Sequence, residues 1–279
     1  MTFDMIRIEE EDTWLLLTHP NHAALAGEFA RHWKNPDFAP PEPFAHILDA
    51  VARHDDSWAK RDAEPLLTEE HNPSAFSSEL VGTYDAFEEI DLDAYLGVRG
   101  AATEAAALRD PYAAVLISMH TVNLLTDQAD LSTLTPSQAE VHKAFIENQK
   151  ERQEQLKYKI RKQTDLAPFA TDAHFQRGFE FLQACDSFSL FVGVDYPNEG
   201  CLRHPQTQRD GSQSEIRFIP LGENRYALDP WPLDEKEVTF TVPYRRVAKS
   251  ATTSLEDFQN AYAAAPDTPI QITACPLPG

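Results

Sequence analysis

The chain has 279 residues and a formal net charge of −21, from 24 Lys and Arg against 45 Asp and Glu. The length suits one large domain or two small ones, either with a real core, 42% hydrophobic content speaks for a globular protein, and the acidic field argues against a nucleic-acid backbone as partner. Three cysteines without a CxxC spacing exclude a disulfide framework and a thiolate metal site, and no apolar run approaches the roughly 18–20 residues of a membrane span.

In chain order, "MIRIEE" and "TWLLLT" predict a hairpin of two short strands. The acidic "EEED" before "TWLLLTH" is the opposite of a basic signal-peptide start, so a cytoplasmic location is expected. Thr18 and Pro20 supply an N-cap and a first-turn proline for a helix through about Trp33. A proline-rich connector, "NPDFAPPEP", leads to a second helix, "HILDAVARHDDSWAK". From 64 to 91 the period is lost, which predicts a long connection of the kind that serves as a lid or wall. Helices return at "LDAYLGVRGAATEAAALR" and at "DPYAAVLISMHTVNLL", the latter opened by Asp110 and Pro111. The next, "PSQAEVHKAFIENQKERQEQLKYKIRKQ", is charged, with a narrow apolar face through Val141, Phe145 and Ile160. "DAHFQRGFEFLQACDSFSLFVGV" is the last strong helix. Strand-like segments follow at "EIRFIPLG", "RYALDPW" and "EVTFTVPYRRV", then a short helix near "SLEDFQNAYAAA" and a final strand "PIQITA".

These elements predict a mainly α architecture over one domain, 1–279. A helical core spans about 19–195, and strands from about 5–18 and 214–274 meet in one small antiparallel sheet (α+β overall). A separate C-terminal β domain is the alternative.

Several ligand-type side chains fall on apolar stripes. His22 shares a face with Leu25, Ala26, Phe29 and Trp33. His54 and Asp55 continue the stripe of Phe44, Ile47, Leu48, Val51 and Trp58, and His120 extends that of Tyr112, Val115, Leu116 and Met119. Asp186 follows Phe175, Phe179 and Leu182 and precedes Ser189 and Leu190. Each alone reads as a hydrogen-bonded core residue. Together, His22, His54, Asp55 and Asp186 offer two imidazoles and two carboxylates from three helices to one divalent ion, whose charge offsets their desolvation. Adjacent residues on a helix point about 100° apart, so His54 and Asp55 reach one ion only at the edge of a cavity.

The order His … His-Asp … Asp on successive helices resembles the HD superfamily of metal-dependent phosphohydrolases. It is carried by His22, the pair His54 and Asp55, and Asp186 in "LQACDSFSL", with 32 residues between His22 and His54. More closely, "WLLLTHPNHAALAGEFARHW", "HDDSWAKRDA", "DPYAAVLISMH", "DSFSLFV" and "LDPWPLD" resemble recurrent segments of a family of uncharacterised bacterial proteins known only as a domain of unknown function. The first resemblance implies a metal (Mn, Fe, Ni, Mg or Zn) held by His22, His54, Asp55 and Asp186, polarising a phosphoryl oxygen and activating water. Binuclear members add histidines; His120 fits that role, while His71, His142 and His174 are less well placed, so one ion is expected.

Asp56 or His120 would handle protons or substrate oxygens. Arg152, seven residues past Phe145, is a candidate phosphate clamp whose plain alternative is a surface ion pair, and Lys60 and Arg61 follow the His-Asp pair. Trp58 is expected to pack, and Trp14, Trp33 and Trp231 to anchor core or sheet. No P-loop, GxGxxG, GxSxG or HExxH sequence competes. The predicted function is a metal-dependent phosphohydrolase acting on a small phosphoester or nucleotide. Iron and oxygen chemistry at the same ligands is one alternative, and a non-catalytic ligand-binding or structural protein with a buried His/Asp network is another.

Overall fold

The structure, a computed structural model, describes residues 5–83, 85–86 and 91–278. Positions 84 and 87–90, in the connection expected over 64–91, lie outside the described residues. Strands β1 (Ile6–Glu9) and β2 (Thr13–Leu17) form the expected hairpin, with Ile6 opposite Leu17. β2 is apolar without alternation because both of its faces are covered. Leu15 and Leu17 join the main core, while Trp14 and Leu16 join a second cluster with Phe258 and Tyr262.

One residue later α1 (His19–His32) begins, with the Thr18 side chain accepting from Asn21 N–H and Pro20 in the first turn. α2 (Phe44–Arg53) buries Ile47, Ala50 and Val51 and then stops. His54 is its C-cap, Asp55 leaves helical geometry at φ −117° and ψ 16°, and a 3₁₀ turn at Asp56–Trp58 leads into the single-turn α3 (Ala59–Asp62). The continuous helix expected across the His-Asp pair is therefore broken at it.

Strand β3 (Asp85–Ala86) pairs parallel with β4 (Ala129–Asp130). Between and after them run α4 (Leu92–Arg109), α5 (Pro111–Leu125), α6 (Pro136–Ile160) and α7 (Asp172–Gly193). The inner face of α6 differs from the expected one. Ile160 is buried and Phe145 packs partly buried as expected, but Val141 is 43% exposed, and His142, Ile146, Gln149, Gln153 and Leu156 complete the inner face in its place. Among the described residues no helix is long and apolar enough to cross a membrane.

The chain then forms β5 (Gly200–Cys201), β6 (Gln206–Thr207), β7 (Gln213–Ser214), β8 (Arg217–Gly222), β9 (Arg225–Asp229), β10 (Val238–Ala248), α8 (Leu255–Ala264) and β11 (Asp267–Pro276). These overturn the expectation of a helical bundle with a small antiparallel sheet. Seven strands form one sheet in the order β1-β2-β10-β11-β9-β8-β5, and it is mixed, since β11 runs parallel to β9. It curls into a half-barrel, and the structure is about 49% helix and 21% strand, so the core is not all-helical. The reason is pairing across distance: β2 from the start and β11 from the end flank the long β10 and unite what read as separate short strands.

One sheet face packs on α1 and α7. Phe29 of α1 stacks on Phe188 of α7 with ring centroids 3.9 Å apart, and Phe240 of β10 sits 5.7 Å from the Phe188 ring. The α1–α2 contact is closer still. A Cβ on Gly27 would lie 2.5 Å from Ala52 Cβ, so only glycine lets the two backbones approach this far.

Candidate metal centre

α1, α2 and α7 carry His22, His54 and Asp186 to one point. His22 Nε2 lies 3.0 Å from Asp186 Oδ1, His54 Nε2 lies 3.3 Å from the same oxygen, and the two Nε2 atoms are 3.3 Å apart. All three residues are buried. The other ring nitrogens have partners that fix the tautomers. His54 Nδ1 donates to the Val51 carbonyl at 2.8 Å. His22 Nδ1 donates at 2.8 Å to Ser189 Oγ, whose hydroxyl is spent on the Asp186 carbonyl at 2.9 Å. With a proton on each Nδ1, both Nε2 lone pairs face the carboxylate oxygen.

Three acceptor atoms at hydrogen-bond distance with no donor among them repel one another unless a cation lies between them. The donor set, two neutral imidazoles and a carboxylate, is the chemistry that binds first-row divalent ions. The residues therefore fit a metal. Without one, a proton takes that place. Burial works against a charged His54 ring, but Asp55 and Asp186 outweigh it and hold its pKa up to about 9. His22 is pushed below its ordinary value by burial, which Asp186 only partly offsets. Asp186 stays well below the usual carboxylate range because the His22 and His54 hydrogen bonds overcome its burial.

Asp55 stands at the edge of this group. Its Oδ2 is 3.6 Å from His54 Nε2 and 3.9 Å from His22 Nε2, while Oδ1 accepts from Arg99 Nη1 at 2.8 Å. Burial pushes the Asp55 carboxyl up, but Arg99 and the neighbouring histidines outweigh that and hold it well below the usual carboxylate range. Because α2 ends at His54, both members of the pair turn toward the same centre, which two successive residues of an unbroken helix do not.

His120 of α5 lies beside the group, its ring centroid 5.2 Å from that of His54. Burial pushes its pKa down to about 3, and the Gln183 amide approaches its Nδ1 at 3.4 Å. His22, Asp55, His120 and Asp186 all line one cavity of about 130 Å³, shared with His19, Trp58, Arg99 and Arg203.

The other expected site residues lie elsewhere. Asp56 is 46% exposed, pairs with Arg53 and does not line the cavity. Lys60 is exposed. Arg152 makes a bidentate pair with Glu104 of α4, both bonds at 2.7 Å, and does not line the cavity. His71 bonds the Thr252 carbonyl, His142 the Leu125 carbonyl and His174 the Thr171 hydroxyl. Trp58 packs as expected, 1% exposed. Sequence reasoning missed Arg99, Ser189, Arg203 and the pair His19 and Asp62. Arg99 had a signal, since it falls on the buried stripe of Leu92, Leu96, Thr103 and Ala106.

The sequence pattern of one family, described as "Protein of unknown function (DUF3891)", matches residues 5–249, and the chain belongs to that family. No curated protein and no solved structure matches it.

Proposed function

We propose that this protein is a metal-dependent phosphohydrolase acting on a small phosphoester, with one divalent ion held by His22, His54 and Asp186 and with Asp55 at its edge. The observation that carries the reading is the convergence of two Nε2 lone pairs and a carboxylate oxygen within 3.3 Å, each imidazole locked by an outer partner. A bound ion supplies Lewis acidity toward a phosphoryl oxygen and toward water. The chain's own residues supply the rest. Ser189 and the Val51 carbonyl orient the ligand rings. Arg99 keeps Asp55 ionised and aimed at the centre. Arg99 and Arg203 place cationic side chains on the cavity of an otherwise acidic protein, which favours an anionic substrate. His120, neutral and lining the cavity, is placed to bond a substrate oxygen.

The test is elemental analysis of tag-free protein beside Asp186→Asn and His54→Ala variants, followed by assay against chromogenic phosphomonoesters and nucleotides. About one equivalent of metal in the wild type, absent from folded variants, is expected from a three-residue ligand set. A wild-type protein that stays metal-free after incubation with manganese, iron, nickel, zinc or magnesium overturns the reading.

A second reading follows from the same three residues. Two histidines and one carboxylate are also the ligand set of non-haem iron centres that react with oxygen. Stoichiometric iron, oxygen consumption and no phosphatase activity would select it.

A further inference from the structure

We propose that His19, clamped by Asp62 and stacked on Trp58, is an anion-binding residue of the same cavity, and that its ligand is a small oxyanion such as the phosphate group of a substrate. The inference rests on the reading of the cavity as a phosphoester site, and it adds a residue that the metal centre does not use.

Asp62 holds His19 at two points. Asp62 Oδ2 accepts from the His19 backbone N–H at 2.6 Å, and Oδ1 from the ring Nδ1 at 3.0 Å. Asp62 is 1% exposed, so a whole buried carboxylate is committed to fixing one ring. The opposite nitrogen, Nε2, bonds no group among the described residues. The ring is 8% exposed as a residue and lines the cavity together with His22, Asp55 and Asp186. Trp58 supports it from the side, with ring centroids 4.7 Å apart and planes 21° from parallel. The Arg99 guanidinium lies 5.1 Å from the same indole, so one aromatic ring braces two cationic side chains at the cavity wall.

The charge of this ring follows from its surroundings. Burial opposes the imidazolium, but Asp62, and more weakly Asp55, outweigh both burial and the opposing Arg99, and the pKa stands above its ordinary value. Nδ1 is bound to a carboxylate, so the proton available to a ligand is the one on Nε2. An imidazolium N–H on a cavity wall, with Arg99 and Arg203 on the same cavity, suits an acceptor-only anion. Arg99, Arg203 and the His19 ring balance the Asp55 and Asp186 carboxylates on this cavity, so it lacks the negative excess of the chain as a whole, −21. The anion contact is thus His19, with Arg99 and Arg203 on the same cavity, where the sequence alone points to Arg152 and Lys60.

The experiment is calorimetric titration of inorganic phosphate into the full-length tag-free protein at pH 7, for wild type, His19→Gln and Asp62→Asn, with metal content measured on the same samples. The ¹⁵N shift of the His19 ring is followed in the wild type during the titration. Loss of a charge-assisted hydrogen bond weakens binding by about tenfold or more, so both variants are expected to lose that much phosphate affinity while keeping the wild-type metal content. The His19 Nε2 resonance is expected to move on phosphate addition. Equal affinity in all three proteins overturns the proposal, and so does a wild-type His19 ring that does not respond to saturating phosphate, a result that stands even if His19→Gln fails to fold. No phosphate binding by the wild type overturns it as well. A wild type without metal, whose phosphate binding nonetheless depends on His19, would sink the metal reading and leave the anion site standing.

Discussion

Replacing Gly27 with alanine tests whether the α1–α2 contact sets the ligand geometry. The added Cβ would stand 2.5 Å from Ala52 Cβ and 2.9 Å from Ala52 Cα. Ordinary carbon contacts lie near 3.5–4.0 Å, so the helices must part by about 1 Å. Ala52 Cα belongs to the backbone and cannot rotate away. Such overpacking costs about 1–3 kcal/mol, which for a chain of this size lowers the melting temperature by roughly 3–10 °C. The same displacement reaches the ligands. His22 lies five residues before Gly27, His54 lies two after Ala52, and their Nε2 atoms are 3.3 Å apart. Sites of this kind tolerate about 0.5 Å of misplacement, so metal affinity is expected to fall at least tenfold. Gly97→Ala is the control, because nothing lies within 4 Å of its would-be Cβ. It sits exposed inside α4 and should gain about 0.5–1 kcal/mol. Thermal melts with and without metal, and calorimetric metal titration, measure both. A Gly27→Ala protein that melts and binds metal like the wild type refutes the idea that this contact positions the site.

In metal-free protein His54 keeps its proton up to pH about 9, against 6.5 for the ordinary ring. A raised folded pKa gives stability that is complete below the unfolded value and lost as pH rises through the folded one, so chelator-treated protein should lose about 3 kcal/mol between pH ~6.5 and ~9.5. Melts across that range check it, and an unchanged melting temperature would contradict the proton's place in the centre. Arg99→Met leaves the Asp55 carboxylate buried without its nearest cation and should cost about 3–5 kcal/mol in denaturant unfolding. The Arg99→Met, Asp55→Asn double variant should recover part of it. Arg152→Met removes a pair whose Glu104 is 58% exposed. It should change stability by less than about 1 kcal/mol and leave metal and phosphate titrations unchanged, and a loss of phosphate affinity would return Arg152 to the site.

His22, His54 and Asp186 were legible because each puts a ligand-type side chain where the apolar period asks for a hydrocarbon. Arg99 obeys the same rule and was passed over, since arginine on a helix reads first as solvated. The break at Asp55 had no local signal. It showed only as a tension, two adjacent residues wanted in one place, and the fold resolves it by ending α2 at His54. The face of α6 was misread for a different reason. Gln149 and Gln153 point inward and bond Thr103 and Ser118, so the buried stripe is partly polar and hydropathy picks out Val141 in place of them. The sheet was underestimated because its pairings span the chain. Leu16 meets Arg245, a contact no window of sequence contains.

That sheet decides where the ligands sit. α1 leaves β2 after one residue, so the β2 register with β10 fixes the start of the helix that carries His22. α7 is held at its other end. A Cβ on Gly193 would lie 3.4 Å from Ile6 of β1 and Leu17 of β2, and the Tyr244 hydroxyl of β10 donates to the Val192 and Gly193 carbonyls. The strands that launch α1 therefore also seat α7, and the two helices bring His22 Nε2 and Asp186 Oδ1 to 3.0 Å from each other. β10 is fixed in turn by β11, which pairs along eight of its positions and lies beyond residue 249, where the family match ends. Without β11, β10 would present a long unpaired edge, and β9 would lose its parallel neighbour. Strands that read as an accessory to a helical core are thus what holds two of its three ligand-bearing helices in register.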